Sequence, residues 1–495
     1  MQKLPMFYGT LLLTGVNLLL RLCSTGFQVY LSGAIGAAGI GLLQLVLSLG
    51  GMAQVAAMAG SRTSTMYLTA EDIGRRGSPK RATVRGCLCY SLCWSLAVGA
   101  LVYALAPFLA RFWIGHSQTA PALRLLSLFL PVYCLCGVLT GYYTACQRIG
   151  LLAGIEVGEQ LLSMAITWTA LRFYAGDDAG RACQSVVLGS GCGSILTFSL
   201  LAVLLPRQKD QKAEQIPTKR ILRAALPLAM ADNLRTGITT AENLLVPRRL
   251  ALYTAFALAS YGTVCGMVFP VMMFPAAVLF SLAELLIPEL ARCAASQNTQ
   301  RVQHLVSKSL GFGLLYGLFW GGMLTLLGSP LALTLYGNFE ASYWLPRFSL
   351  LVPMLYCDAI VDACIKGLGQ QVHSVRYNIF TNIIDLALLY VLLPVYGLDG
   401  YYFSFLCSHA INFFLSVRRL RLCSGVKIPL YRPILAIFSA SVGVFLGMLT
   451  PSSLHRMGVF GVTFCACCQL TGVTATAHWK WLRQLFTVKK VPNRV

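Results

Sequence analysis

The feature that most constrains this chain is a succession of apolar segments, each about 20 residues long, separated by short polar gaps almost from end to end. A bilayer core about 30 Å thick takes roughly 20 apolar residues per helical crossing. Backbone inside lipid must also satisfy its own N–H and C=O groups, which a helix does within a single segment. The chain is 57% hydrophobic and 11% charged, with a mean hydropathy of +0.68, so no soluble domain of ordinary size is left over. The expectation is an all-α integral membrane protein of about 14 transmembrane helices. The first apolar segment carries Arg21 and runs straight into the second, so it reads as a span and not as a cleaved leader.

Charge gives the topology. Cytoplasmic gaps collect Lys and Arg, and with the N-terminus inside, every second gap is basic. Arg75, Arg76, Lys80, Arg81 and Arg85 fill the first of these. Later ones hold Arg148, the run from Arg207 to Arg223, the set Arg292, Arg301 and Lys308, and the set Arg418, Arg419, Arg421, Lys427 and Arg432. About 28 of the 39 Lys and Arg fall inside on this scheme, and both termini are cytoplasmic. Cysteines placed at Ser78 and Ser424 should then label only from that side. The net charge of +22 follows from topology and attraction to anionic headgroups. No nucleic-acid partner is expected, because the basic residues lie in short gaps and not on one soluble face. Most of the 18 cysteines sit inside spans, as in "GCLCYSLCW" and "FCACCQL", where they act as small packing residues. None has a His at ligand spacing, so no metal is expected.

Two stretches 222 residues apart match: "SLFLPVYCLCGVLTGYYTACQ" from Ser127 and "SLLVPMLYCDAIVDACIKGLG" from Ser349, with Pro131 and Pro353 at the same step. At nearly the same offset "NLLLR", ending at Arg21, corresponds to "ADNLR", ending at Arg235. Duplicated bundles are common in transporters. The chain therefore divides into an N-terminal lobe (1–206), a basic cytoplasmic linker (207–223), a C-terminal lobe (224–420), and two further spans with a basic tail (421–495).

Polar residues inside the spans form stripes. Along "ADNLRTGITTAENLLVP", residues 231–247, a helical projection puts Asp232, Arg235, Thr239, Glu242 and Asn243 on one face about 100° wide. Thr14, Asn17, Arg21, Ser24 and Gln28 share a similar face in the first span, and Gln44, Ser48 and Arg62 in the second. An ionised side chain facing hydrocarbon costs roughly 2.5–3.5 kcal/mol or more, so these stripes face protein or a wet cavity. Each Arg serves either such a cavity or a structural ion pair, or snorkels from a helix end. Asp358, Asp362 and Lys366 run i, i+4, i+8 and read as structural. Glu156, Glu159, Glu284, Glu289 and Asp385 stay open between contacts within the protein and ion coupling. Pro270, Pro275 and Pro288 should bend the eighth span. No P-loop, HExxH or G-x-S-x-G is present, so no enzyme chemistry and no cofactor are expected.

The two lobes with two extra helices, "LRTGITTAENLLVPRRL", "ALASYGTVCGMVFPVMMFPAAVLFSLAELLIPELA" and "LYCDAIVDACIKGLGQQ" resemble the stage V sporulation protein B branch of the MOP superfamily of exporters. That superfamily also holds the MurJ-type lipid II flippases and the MATE antiporters. The resemblance implies two lobes that expose a central cavity alternately to each side of the membrane. It also implies that Arg21, Arg62 and Arg235 meet the pyrophosphate of an undecaprenyl-type lipid-linked saccharide, with Asn17, Gln28, Asp232, Thr239 and Glu242 beside them. Where related sequences have Arg before the "GY" closing the fourth span, this chain has Thr140 before Gly141. The function expected is a flippase for a lipid-linked oligosaccharide or peptidoglycan precursor, with membrane lipids and cell-envelope synthases as partners. Whether Na+ or H+ is coupled stays open. The alternatives are a MATE-like cation antiporter and a non-transporting scaffold for envelope synthesis.

Overall fold

A computed structural model describes residues 6–76, 81–176, 178–205, 218–426 and 431–472. The basic segment at 207–217, Ser78 and the tail beyond 472 lie outside the described residues. Every regular element among the described residues is helical, in the order α1 (Met6–Met58), α2 (Ser61–Arg76), α3 (Arg81–Phe108), α4 (Ala120–Ala145), α5 (Ile149–Ala170), α6 (Ala179–Val203), α7 (Thr218–Leu250) and α8 (Ala257–Thr263). There follow α9 (Phe269–Met273), α10 (Ala277–Ala295), α11 (Thr299–Tyr336), α12 (Phe339–Ser349), α13 (Val352–Gly367), α14 (Gln371–Ser424), α15 (Tyr431–Met448) and α16 (Ser453–Leu470).

The longest helices are two crossings fused at a kink. α1 has 53 residues and breaks at Gly36 (φ 68°); α14 has 54 and breaks at Gly397 (φ 58°). That region of φ is open to glycine and costs other residues strain. Among the described residues seven helices can cross a membrane by length and composition, or up to nine if each of two bent pairs is one span. The count of about 14 therefore rests on dividing the kinked helices and on helices such as α7, whose charges keep it out of that set. This is a multi-pass, all-α membrane protein.

Two compact units emerge, and neither is continuous in sequence. Unit 1 comprises Met1–Pro270 with Asn382–Ser404, and unit 2 comprises Val271–Thr381 with Phe405–Val495. In lipid the helices gain little from apolar burial, so close approach over small residues and satisfied polar groups hold them together. In unit 1 a Cβ on Gly41 would lie 2.2 Å from the Leu258 carbonyl oxygen, and one on Gly262 would lie 2.0 Å from that of Ala37. α1 and α8 therefore meet backbone to backbone. Buried tyrosines bind α4 to α6: Tyr143 donates to the Leu201 carbonyl at 2.9 Å and Tyr133 to Ser190 Oγ at 2.9 Å.

Unit 2 is packed around aromatic rings. Phe460 and Phe464 of α16 stack at 5.7 Å, and Phe319 of α11 sits against both. The eighth span is interrupted between Met273 and Ala277, at Pro275, whereas Pro288 lies inside α10 without ending it. The carbonyls freed by the interruption are taken up by phenols: Tyr356 donates to Met272 O and Tyr316 to Pro275 O, both at 2.8 Å. Irregular backbone at membrane depth persists where protein donors replace the missing helical ones.

Candidate functional site

The residues expected to bind substrate all fall in unit 1. In the first half of α1, Arg21 is half-buried and partnered. One turn on, Gln160 of α5 donates to Ser24 Oγ at 2.8 Å, and Gln28 donates to the Gly266 carbonyl at 3.2 Å, in the π-helical turn Val264–Val268. Much of this stripe thus joins helices. The side chains of Thr14 and Asn17 lie outside the described residues.

Arg62 is positioned differently from its sequence expectation. Ala59 (φ 43°) and Gly60 (φ 71°) stop the helix after Met58, and Arg62 opens α2. The 100° per residue phase does not carry across that interruption, so Arg62 does not continue the face of Gln44 and Ser48. Its place is set by α4 instead. A Cβ on Gly141 would come within 2.4 Å of the Arg62 carbonyl oxygen, so the small residue of the "GY" pair lets α2 lie directly on α4. The Arg62 side chain is exposed, and its charge acts on Glu156 of α5.

The stripe on α7 divides in two. Asp232, Arg235 and Thr239 are exposed, and no ion pair joins Asp232 to Arg235 among the described residues. Further along, α7 turns against α1: Asn243 donates to Ser48 Oγ at 3.0 Å and Thr240 to the Ser48 carbonyl at 3.3 Å. Glu242 hydrogen-bonds the carboxyl of Asp385 on α14. Asp385 is only 4% exposed and also accepts from Ser404 Oγ at 2.6 Å. The two carboxyl groups lie within hydrogen-bonding reach of each other. Around it lie Tyr261, Tyr401 and Cys265, with Cys265 Sγ 4.0 Å from the Tyr401 hydroxyl. The carboxyl pair, whose partners stand 143 positions apart, was not visible in the sequence.

The acids of unit 2 are held locally. Lys366 pairs with Asp362 at 2.6 Å, and Ser374 donates to the same carboxylate. Glu289 accepts from Arg301 at 2.7 Å and pairs with Arg292 at 3.2 Å. Asn412 donates to Asp358 at 3.1 Å. No group of three metal-ligating side chains occurs among the described residues.

Long kinked helices, glycine-lined contacts and charged stripes make up a polytopic all-helical fold of the kind seen in MATE transporters and in MurJ. Among solved structures it is similar to the lipid II flippase MurJ in an inward closed conformation (TM-score 0.73, 10% identity, 96% of this chain and 100% of that one). It is also similar to an inward-facing multidrug resistance MATE family transporter (TM-score 0.63, 15% identity, 83% and 96%). In sequence it is similar to stage V sporulation protein B of Bacillus subtilis (strain 168), 20% identical over 422 residues that cover 81% of this chain and 80% of that protein. No family model matches the chain.

Proposed function

We propose that the chain is a flippase that carries a lipid-linked oligosaccharide or peptidoglycan precursor across the cytoplasmic membrane by alternating access, with both of its termini in the cytoplasm. The lobes at 1–206 and 224–420 would rock against each other. Arg21, Arg62 and Arg235 would bind the pyrophosphate, and Gln28 and Thr239 the saccharide. The observation that carries this reading is the state of Arg62 and Arg235. Both present exposed guanidinium groups from polar faces without forming a salt bridge among the described residues. An exposed cation not held in a salt bridge suits a multiply charged anion, and the planar guanidinium binds phosphate oxygens in bidentate fashion. The likeness in fold to a lipid II flippase supports the same reading.

The Glu242–Asp385 pair favours ion coupling, because two carboxyl groups side by side within the spans can hold a cation and release it as the protein changes conformation. The same pair is what a cation antiporter would need, which keeps that second reading in view. The deciding experiment follows fluorescent undecaprenyl-linked precursors in proteoliposomes, comparing wild type with Arg21→Ala combined with Arg235→Ala. Flipping by wild type and its loss in the variant is the expected result. Undiminished flipping by a well-folded double variant would sink the cationic-site mechanism.

A further inference from the structure

Unit 2 contains a groove of about 840 Å³ bounded by α11, α13, α15 and the last third of α14. It belongs wholly to unit 2 and includes none of the residues assigned to the substrate above. Between Lys308 and Thr325, both on its wall, α11 rises about 26 Å, close to the roughly 30 Å thickness of a hydrocarbon core. Along that length the wall is apolar in effect, because its hydroxyls are already engaged. Thr325 donates to the Gly321 carbonyl at 2.7 Å, and Ser441 to that of Ile437 at 3.0 Å.

Polarity returns at one end. Lys308 lies near the start of α11 and Arg432 near the start of α15, both on the lining. Lys308 is half-buried and has no acidic partner among the described residues. Arg432 is exposed; among the described residues it hydrogen-bonds the Tyr431 phenol, lies over its ring and has no acidic partner. Gly322 meets Val444 and Leu326 meets Gly447, so α11 and α15 run in the same direction and both cations lie about 20 Å back along their helices. The groove offers a membrane-long apolar channel with two cations at one level that have no acidic partner among the described residues. That is the charge complement of a phosphate headgroup on acyl chains.

We propose that this groove holds one anionic glycerophospholipid of the leaflet that the basic gaps face, its phosphate between Lys308 and Arg432 and its acyl chains along α11 and α15. A lipid substrate must give up headgroup contacts at one surface in order to cross. A pair of cations fixed at one level suits a resident lipid instead. Gly311 marks the space directly, since it lines the groove and a Cβ built there meets nothing within 4 Å.

The test is native mass spectrometry of the delipidated full chain in detergent, titrated separately with a phosphatidylglycerol, a phosphatidylcholine and undecaprenyl phosphate. One phosphatidylglycerol per chain should be retained, with phosphatidylcholine at least about tenfold weaker. Each cation removed should weaken the anionic lipid about fivefold, so Lys308→Ala with Arg432→Ala loses about 25-fold. Gly311→Trp should block both phospholipids. Equal retention of phosphatidylglycerol by wild type and the double variant overturns the proposal. So does undecaprenyl phosphate binding more tightly than phosphatidylglycerol, which would make the groove a seat for the substrate's tail. The readout is lipid retention, so it stands or falls independently of the flippase reading.

Discussion

Replacing Glu242 separates a hydrogen-bonded carboxyl pair from two acids that are merely near each other. Asp385 has two partners, the Glu242 carboxyl and the Ser404 hydroxyl, and almost no access to solvent. Glu242→Ala removes one of them. Truncating a buried ion pair costs about 3–5 kcal/mol when a charge is left stranded, whereas a lost buried hydrogen bond costs about 1–3 kcal/mol. The lower range applies here, because Ser404 still donates to Asp385, so we expect about 2 kcal/mol. Glu242→Gln keeps the shape and offers an amide N–H where the carboxyl O–H stood, and should cost under about 1 kcal/mol. A double-mutant cycle with Asp385→Asn, read by denaturant unfolding in mixed micelles, should show a coupling of at least about 1 kcal/mol. Additivity within about 0.5 kcal/mol, or equal losses for Ala and Gln, would refute the pairing. If the pair also couples transport, Glu242→Gln should fold normally yet flip precursor without responding to an imposed proton or sodium gradient.

Other perturbations test the scaffold and the topology. Gly262→Ala places a methyl 2.0 Å from a backbone oxygen that cannot rotate away and should lower stability by about 1–3 kcal/mol. Gly237→Ala, where a Cβ meets nothing within 4 Å, is the control and should leave the melting temperature unchanged or raised. Asp178 caps α6 by accepting from the Gly180 N–H at 2.7 Å and pairs with Arg181 at 3.2 Å; these contacts hold its carboxyl below the usual carboxylate range. Its contribution is therefore present above the unfolded value near 3.9 and lost as pH falls through the lower folded one. Asp178→Ala should cost about 1 kcal/mol at neutral pH, and the difference from wild type should vanish in strong acid. Ser424 is buried and donates to the Leu420 carbonyl, which makes it a poor labelling position. The native Cys423 beside it is exposed and, with the other cysteines replaced, should react with impermeant maleimide only from the cytoplasmic face; reaction from outside would reverse the orientation.

How much the sequence discloses depends on whether a pattern is local or crosses a break. Span-length apolar segments fix the all-helical class because lipid leaves the backbone no alternative. The Asp362–Lys366 pair was legible for a related reason, since four residues on one unbroken helix bring side chains together whatever surrounds them. The projection fails where the helix does. Ala59 and Gly60 shift the phase between Ser48 and Arg62, and neither is a helix breaker strong enough to announce itself in so apolar a stretch. On α7 the projection grouped five polar residues correctly as a face, but a face has length as well as width. Its first turns stay open at Asp232 and Arg235, while its last turns close on Ser48 and Asp385. Which end closes is decided by α1 and α14, whose contributions to the contact lie far away in sequence. Glu242 therefore changes from a counter-charge of Arg235, as its helical position suggested, into half of a carboxyl pair. That change removes the acid one heptad beyond Arg235 from its surroundings and leaves its guanidinium exposed.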